Sequence, residues 1–188
     1  MEARASRPCQ NLRIRARGRK VIRSMATMSI APTSHITTDN DVVISKFFIA
    51  APRERIFQAI TDPKQAVRWW GQSGKYRLSE FQMDVRVGGK WSCSGSSANM
   101  GNITVEGEFL EIDPPRRLAY TWTSSWMPVS TKVVWELEAQ ANGTMLKLTH
   151  TGFAGDADQA KNHSLGWSSV LGWLQAFVEK GETIDTRS

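Results

Sequence analysis

Between residues 71 and 151 the chain reads as strand after strand, with no helical pattern between them. Three turn signatures punctuate this stretch. "VGGKW" sets Gly88-Gly89 between the alternating "FQMDVRV" and "KWSCS", which predicts a two-residue hairpin needing positive φ. "EIDPPRRLAYTW" ends one strand at Pro114-Pro115 and begins another. "EAQANGTMLKL" contains Asn142-Gly143, a strong short-range hairpin signal. Parallel strands need long crossovers, and there is no room for them here. The stretch must be an antiparallel meander.

Helical patterns occur only at its two ends. "DVVISKFFIA", residues 41–50, predicts a first strand closed by Pro52. "APRERIFQAIT" follows as a short helix with Ile56, Phe57 and Ile60 on one face. "DPKQAVRWW" is a second, with Asp62 as N-cap and Pro63 in its first turn. After the meander, "DADQAKNHSLGWSSVLGWLQAFVEKG" predicts one long helix stopped at Gly181. Its apolar stripe is Trp167, Val170, Leu171, Leu174, Phe177 and Val178, widened by Trp173. The order predicts an α+β fold: a curved antiparallel sheet of about seven strands wrapped around the long C-terminal helix, with two short helices after the first strand.

The net charge of +6 does not mark a nucleic-acid-binding face. Residues 1–30 hold eight basic side chains against Glu2, whereas the remainder carries 16 basic and 17 acidic ones. Residues 1–40 read as a disordered basic extension, or as sequence upstream of a start at Met25 or Met28. A nucleic-acid arm and an Arg-rich transit segment are the alternatives. The folded domain is expected over 41–182, with 183–188 as a flexible tail. No run of about 18 apolar residues is present, so no membrane span is expected. Cys9 and Cys93 form no paired motif, which predicts neither a disulfide framework nor a metal site and suits a cytoplasmic protein.

Eight tryptophans against two tyrosines predict a large aromatic interior. Trp69 and Trp70 are adjacent, and adjacent side chains cannot face the same way. One is expected in the core; the other is expected at the mouth of a cavity, ahead of a flexible "GQSG" loop. Strand alternation sets Leu118, Tyr120 and Trp122 on one face, as it does Val133, Trp135 and Leu137, and Leu146, Leu148 and His150. The candidate ligand-contacting residues are Trp69, Trp70, Trp91, Tyr120, Trp122, Trp135, His150, Phe153, Trp167 and Leu171. An apolar cavity with few polar groups fits a hydrophobic small molecule. His150, beside Phe153, reads either as a hydrogen-bonded structural histidine or as a ligand donor or general base. His163 is expected in solvent. Asp84 and Arg86 read as an ion pair, and Glu106 and Glu108 as a solvated strand face. "DVRVGG" lacks the Lys-Ser/Thr of a phosphate loop. No catalytic residue, metal or cofactor is assigned.

"FIAAPRERIFQAITDPKQAVRWW", "MDVRVGGKW", "EGEFLEIDPPRRLAYTW", "NGTMLKLTHTGF" and "GWSSVLGWLQAFVE" occur in an order that resembles bacterial homologues of the heat-shock-protein-90 ATPase activator. That family belongs to the START-related (SRPBCC) helix-grip superfamily. The resemblance covers about residues 41–181 and implies a seven-stranded sheet gripping a C-terminal helix, with a cavity between them. The superfamily includes lipid carriers, hormone receptors and polyketide cyclases, so the fold alone leaves function open. The chaperone activators carry a larger N-terminal domain, whereas here a basic segment of some forty residues precedes the domain. The leading expectation is a cytoplasmic protein that binds a hydrophobic or aromatic small molecule. A polyketide cyclase/dehydratase-type enzyme using the same pocket is the alternative, and a chaperone-interacting module rests on the family name. A homodimer is left open.

Overall fold

The computed structural model describes residues 32–187. Most of the expected basic extension lies outside them. In chain order the elements are β1 (Ser34–Ile36), β2 (Val42–Ile49), α1 (Arg53–Thr61), α2 (Pro63–Trp69), β3 (Gly71–Gln72), β4 (Tyr76–Met83), β5 (Lys90–Ser97), β6 (Gly101–Asp113), β7 (Arg117–Ser124), β8 (Met127–Gln140), β9 (Gly143–Thr151) and α3 (Ala157–Lys180).

All strands join one antiparallel sheet in the order β1-β2-β9-β8-β7-β6-β5-β4-β3. The meander runs from β3 to β9, and β2 adds to its far side through Val43 opposite His150 and Phe47 opposite Leu146. Among the described residues the sheet has nine strands where about seven were expected. The two extra ones are short edge strands, too brief to show periodicity: β1 of three residues and β3 of two. It remains open, with β1 and β3 at its edges. Alternation sets the inner face: Val43, Ser45, Phe47 and Ile49 are buried along β2, and Leu146, Leu148 and His150 along β9.

α3 covers this inner face. The Asp156 carboxylate accepts from the Gln159 N–H at 3.0 Å, and Gly181 ends the helix at φ 73°. Ala160, His163, Trp167, Leu171 and Leu174 are buried at helical spacing. α1 and α2 share Asp62, which ends the first and caps the second by accepting from the Lys64 N–H at 2.9 Å.

Four local expectations differ. The β4–β5 connection spans residues 84–89, and only Gly88 of the glycine pair takes positive φ (78°). The loop folds onto β6: Gly88 N–H donates to Phe109 O at 2.8 Å, and Phe109 N–H to Gly89 O at 2.9 Å. In the β8–β9 hairpin Gln140 pairs with Gly143, so Ala141-Asn142 form the turn. Gly143 serves a close approach instead, since a Cβ there would lie 2.2 Å from Ile49 O. The sheet starts at Ser34, ahead of the expected boundary at 41, because Ser34–Ile36 pair with Val43–Ser45. Beyond residue 182, where a flexible tail was expected, Ile184 is buried and its N–H donates to Arg68 O at 2.8 Å.

Candidate functional site

α2 ends between the two adjacent indoles. Trp69 is its last residue and Trp70, with φ −82° and ψ 91°, turns the chain toward β3. Trp69 is fully buried, with its Nε1–H donating to Ala59 O of α1 at 3.0 Å. Trp70 is also buried, at 6% exposure, so it does not form a mouth. It packs between the short helices and the sheet–helix interior: 5.2 Å from Trp69, 6.0 Å from Phe81 and Trp167, and 6.3 Å from Trp122, between ring centroids. The expected flexible loop begins as strand, because Gly71 and Gln72 pair with Arg77 and Tyr76.

The sheet supplies the rest of this aromatic cluster. Trp91 of β5 meets Tyr120 of β7 edge-on at 5.0 Å and Trp122 at 5.5 Å. Trp135 of β8 donates its Nε1–H to the Tyr120 hydroxyl at 2.9 Å and meets Trp167 of α3 at 5.7 Å. Such ring pairs each contribute about 0.5–1.5 kcal/mol beyond their buried area. Burial raises the Tyr120 pKa, so the hydroxyl stays neutral.

At the centre is a cavity of about 10 Å³, bounded by Trp70, Trp91, Tyr120 and Trp135 together with Ile60, Phe81, Met83 and Phe109. That is roughly the space for a single water. The tryptophans therefore fill the interior more than they line it. Of the bounding residues, Ile60, Phe81, Met83 and Phe109 were not among the sequence candidates. The alternation of "FQM" pointed to Phe81 and Met83, and Phe109 is the cross-strand partner of Tyr120. Among the described residues no charged side chain borders the cavity.

His150 joins β9 to α3, β8 and β7. An indole N–H can only donate, so His150 Nδ1 accepts from Trp167 Nε1 at 3.0 Å. Nε2 then carries the proton and donates to Thr131 Oγ1 at 2.7 Å, and Thr131 in turn donates to Trp122 O at 3.0 Å. Both ring nitrogens are committed. Burial, reinforced by His163, holds its pKa well below the ordinary histidine value. This is the structural reading of His150, and it leaves no lone pair for general-base work.

Phe153 packs against His150 at 4.7 Å and against His163 at 5.0 Å. His163 is buried, not solvated; its Nδ1–H donates to Gln159 O at 2.9 Å, and burial lowers its pKa. The ring lies on the helical stripe shared with Ala160 and Trp167, which was the missed signal. Leu171 is fully buried one turn after Trp167. Cys93 is a buried thiol whose pKa is pushed up to about 12 by burial, so it is not an activated nucleophile.

The outer sheet face is charged. Arg117 bonds Glu111 and Glu136 at 2.9 Å each, and Lys147 bonds Glu136 at 2.9 Å. Arg117, Glu136 and Lys147 border an open groove of about 530 Å³ that Lys46 and Arg53 also line. Asp84 and Arg86 form the expected ion pair at 2.8 Å. Glu106 is exposed, and Glu108 pairs with Lys90. Among the described residues no group of three or more His, Cys, Asp or Glu side chains could hold a metal. No described helix is long and apolar enough to cross a membrane.

A single antiparallel sheet, one face covered by a long C-terminal helix around an aromatic interior, defines the helix-grip class. Within that class the chain belongs to the family described as activator of Hsp90 ATPase homolog 1-like protein, which it matches over residues 50–179. Protein CV1439 from Chromobacterium violaceum is similar at 27% identity and a TM-score of 0.67, over 74% of this chain and 97% of that one. CalU16 from Micromonospora echinospora is 24% identical with a TM-score of 0.59, over 80% and 85% of the two chains. DynU16, from the dynemicin biosynthetic locus, is 21% identical with a TM-score of 0.63, over 76% of this chain and 48% of that one. No curated protein matches the sequence.

Proposed function

We propose that this protein binds an uncharged hydrophobic or aromatic small molecule between the sheet and α3, with Trp70 at the centre of the site. One observation carries the proposal. Trp70 after α2 and rings from β4, β5, β6, β7 and β8 converge on a residual cavity that, among the described residues, has no charged side chain at its border, and Trp167 of α3 packs against Trp70 and Trp135 behind it. A ligand pocket of ordinary size occupies about 300 Å³ or more. Binding therefore requires the interior to open, and Trp70, at the end of a seven-residue helix, is the wall element with the least regular structure to disrupt. All ten sequence candidates are buried in or around this cluster, and Trp70, Trp91, Tyr120 and Trp135 border the cavity itself.

An enzyme of the polyketide cyclase/dehydratase type is the second reading, supported by the structural likeness to a protein from a biosynthetic locus. It would need a free acid or base at the cavity. Tyr120 has a raised pKa and His150 has both nitrogens engaged, so binding is the better-supported reading. We place the protein in the cytoplasm as part of the same proposal, consistent with a buried free thiol. Chaperone contact has only the family's name behind it.

The test is native mass spectrometry of freshly purified protein together with titration of N-phenyl-1-naphthylamine, a neutral aromatic probe. A retained small molecule, or saturable probe emission, is the expected result. Neither a retained molecule nor saturable emission would mean that the interior is a packed core.

A further inference from the structure

The interior around Trp70 is closed, so a molecule reaches it only after part of its wall moves. The segment that follows α3 lies against the junction of α2 and β3, the stretch that carries Trp70. Ile184 is buried, with its N–H on Arg68 O at 2.8 Å, and a Cβ on Gly71 would lie only 3.2 Å from its Cδ1. Arg187 donates to Gly71 O at 2.7 Å and to Trp69 O and Trp173 O at 3.4 Å, with its guanidinium over the Trp173 ring at 5.8 Å. Asp185 accepts from both terminal nitrogens of Arg77 on β4, at 2.8 and 3.4 Å. Trp69 O and Gly71 O flank Trp70 in the chain. One side chain thus fastens the backbone on both sides of the central indole.

We propose that residues 182–187 form a strap that holds the Trp69–Gly71 junction shut, and that its release admits ligand to the aromatic interior; the second half rests on the binding reading above. The strap is built to be released locally. The Arg77 and Asp185 side chains are 52% and 70% exposed, so that pair contributes little and weakens with salt. Arg187 Nε has no hydrogen-bond partner among the described residues. The Arg187 hydrogen bonds are part-buried, whereas the Arg77–Asp185 pair is exposed. Releasing them breaks no sheet pairing between β4 and β9.

The test uses the full chain and two readouts: acrylamide quenching of tryptophan emission, which needs no ligand, and stopped-flow association of N-phenyl-1-naphthylamine. Losing hydrogen bonds donated by a charged guanidinium shifts a local opening equilibrium by about tenfold or more. Arg187→Ala should raise quenching, and should raise the association rate by about that factor. Arg77→Ala, at an exposed position, should raise both by less. Unchanged quenching and association in folded Arg187→Ala overturn the strap. Should Arg187→Ala fail to fold, Arg187→Lys decides by the same criterion. Raised quenching in variants that never bind the probe supports the strap as a closure and sinks the binding reading instead. Probe binding with both readouts unmoved does the reverse.

Discussion

Trp69 and Trp70 stack with centroids 5.2 Å apart and planes 27° from parallel, yet they face different surroundings. Trp69 is fastened by its N–H to Ala59 O of α1, whereas Trp70 reaches Phe81, Trp122 and Trp167 across the interior. The pair ties the small helical cap to the sheet and to α3 at once. Trp69→Phe keeps an aromatic ring but strands Ala59 O and leaves space where the pyrrole ring was, so a loss of at least about 1–3 kcal/mol is expected in urea titration. A neutral result would mean that this hydrogen bond carries no weight.

The sheet–helix core should respond unequally to truncation along α3. Leu174 is fully buried, and Leu174→Ala should cost about 2–5 kcal/mol. Leu165 is 62% exposed on the same helix, and Leu165→Ala should stay within about 0.5 kcal/mol of neutral. Equal losses would show that the buried stripe is misplaced.

Two glycines make a pair of opposite sign. Gly143→Ala would drive a Cβ to 2.2 Å from Ile49 O and should destabilise the protein. Gly166 sits within α3 with open space around its Cα, and Gly166→Ala should stabilise by about 0.5–1 kcal/mol. Thermal melts of the two variants should move in opposite directions.

Stability should fall as the solution is acidified through the histidine range. Burial holds His150 well below the ordinary value near 6.5 and lowers His163 as well. The unfolded chain then binds more protons than the native one below about pH 6.5, so stability is fully present above that pH. It declines toward the folded-state pKa values at up to about 1.4 kcal/mol per pH unit for each group. Urea titrations at pH 7.5, 6.5 and 5.5 check this, with His163→Gln expected to flatten the slope. A flat profile in the parent protein would contradict the burial of both rings.

The regular elements were legible because their signals are local. Asp62 and Asp156 mark helix starts, Gly181 marks a stop, and period-two alternation in β8 and β9 sets the inner face. What was missed depends on distant partners. Gly143 looked like a turn residue, but its role is set by Ile49 O, far away in sequence. Ile184 and Arg187 gave no periodic signal, and their contacts are made to a junction more than a hundred residues upstream. Alternation told which aromatics face inward but carried no information on how much space they leave. A mouth was therefore expected at one of Trp69 and Trp70, whereas packing buries both.

The proposed binding requires this aromatic interior to open and take up a neutral aromatic molecule. Titration of N-phenyl-1-naphthylamine into the full chain, with tryptophan emission read alongside probe emission, tests it most directly. Saturable probe enhancement with matching quenching of the indoles is expected, both reversed when the probe is displaced by an excess of a second neutral aromatic. Probe emission that rises linearly without saturation, with tryptophan emission unchanged, would contradict it.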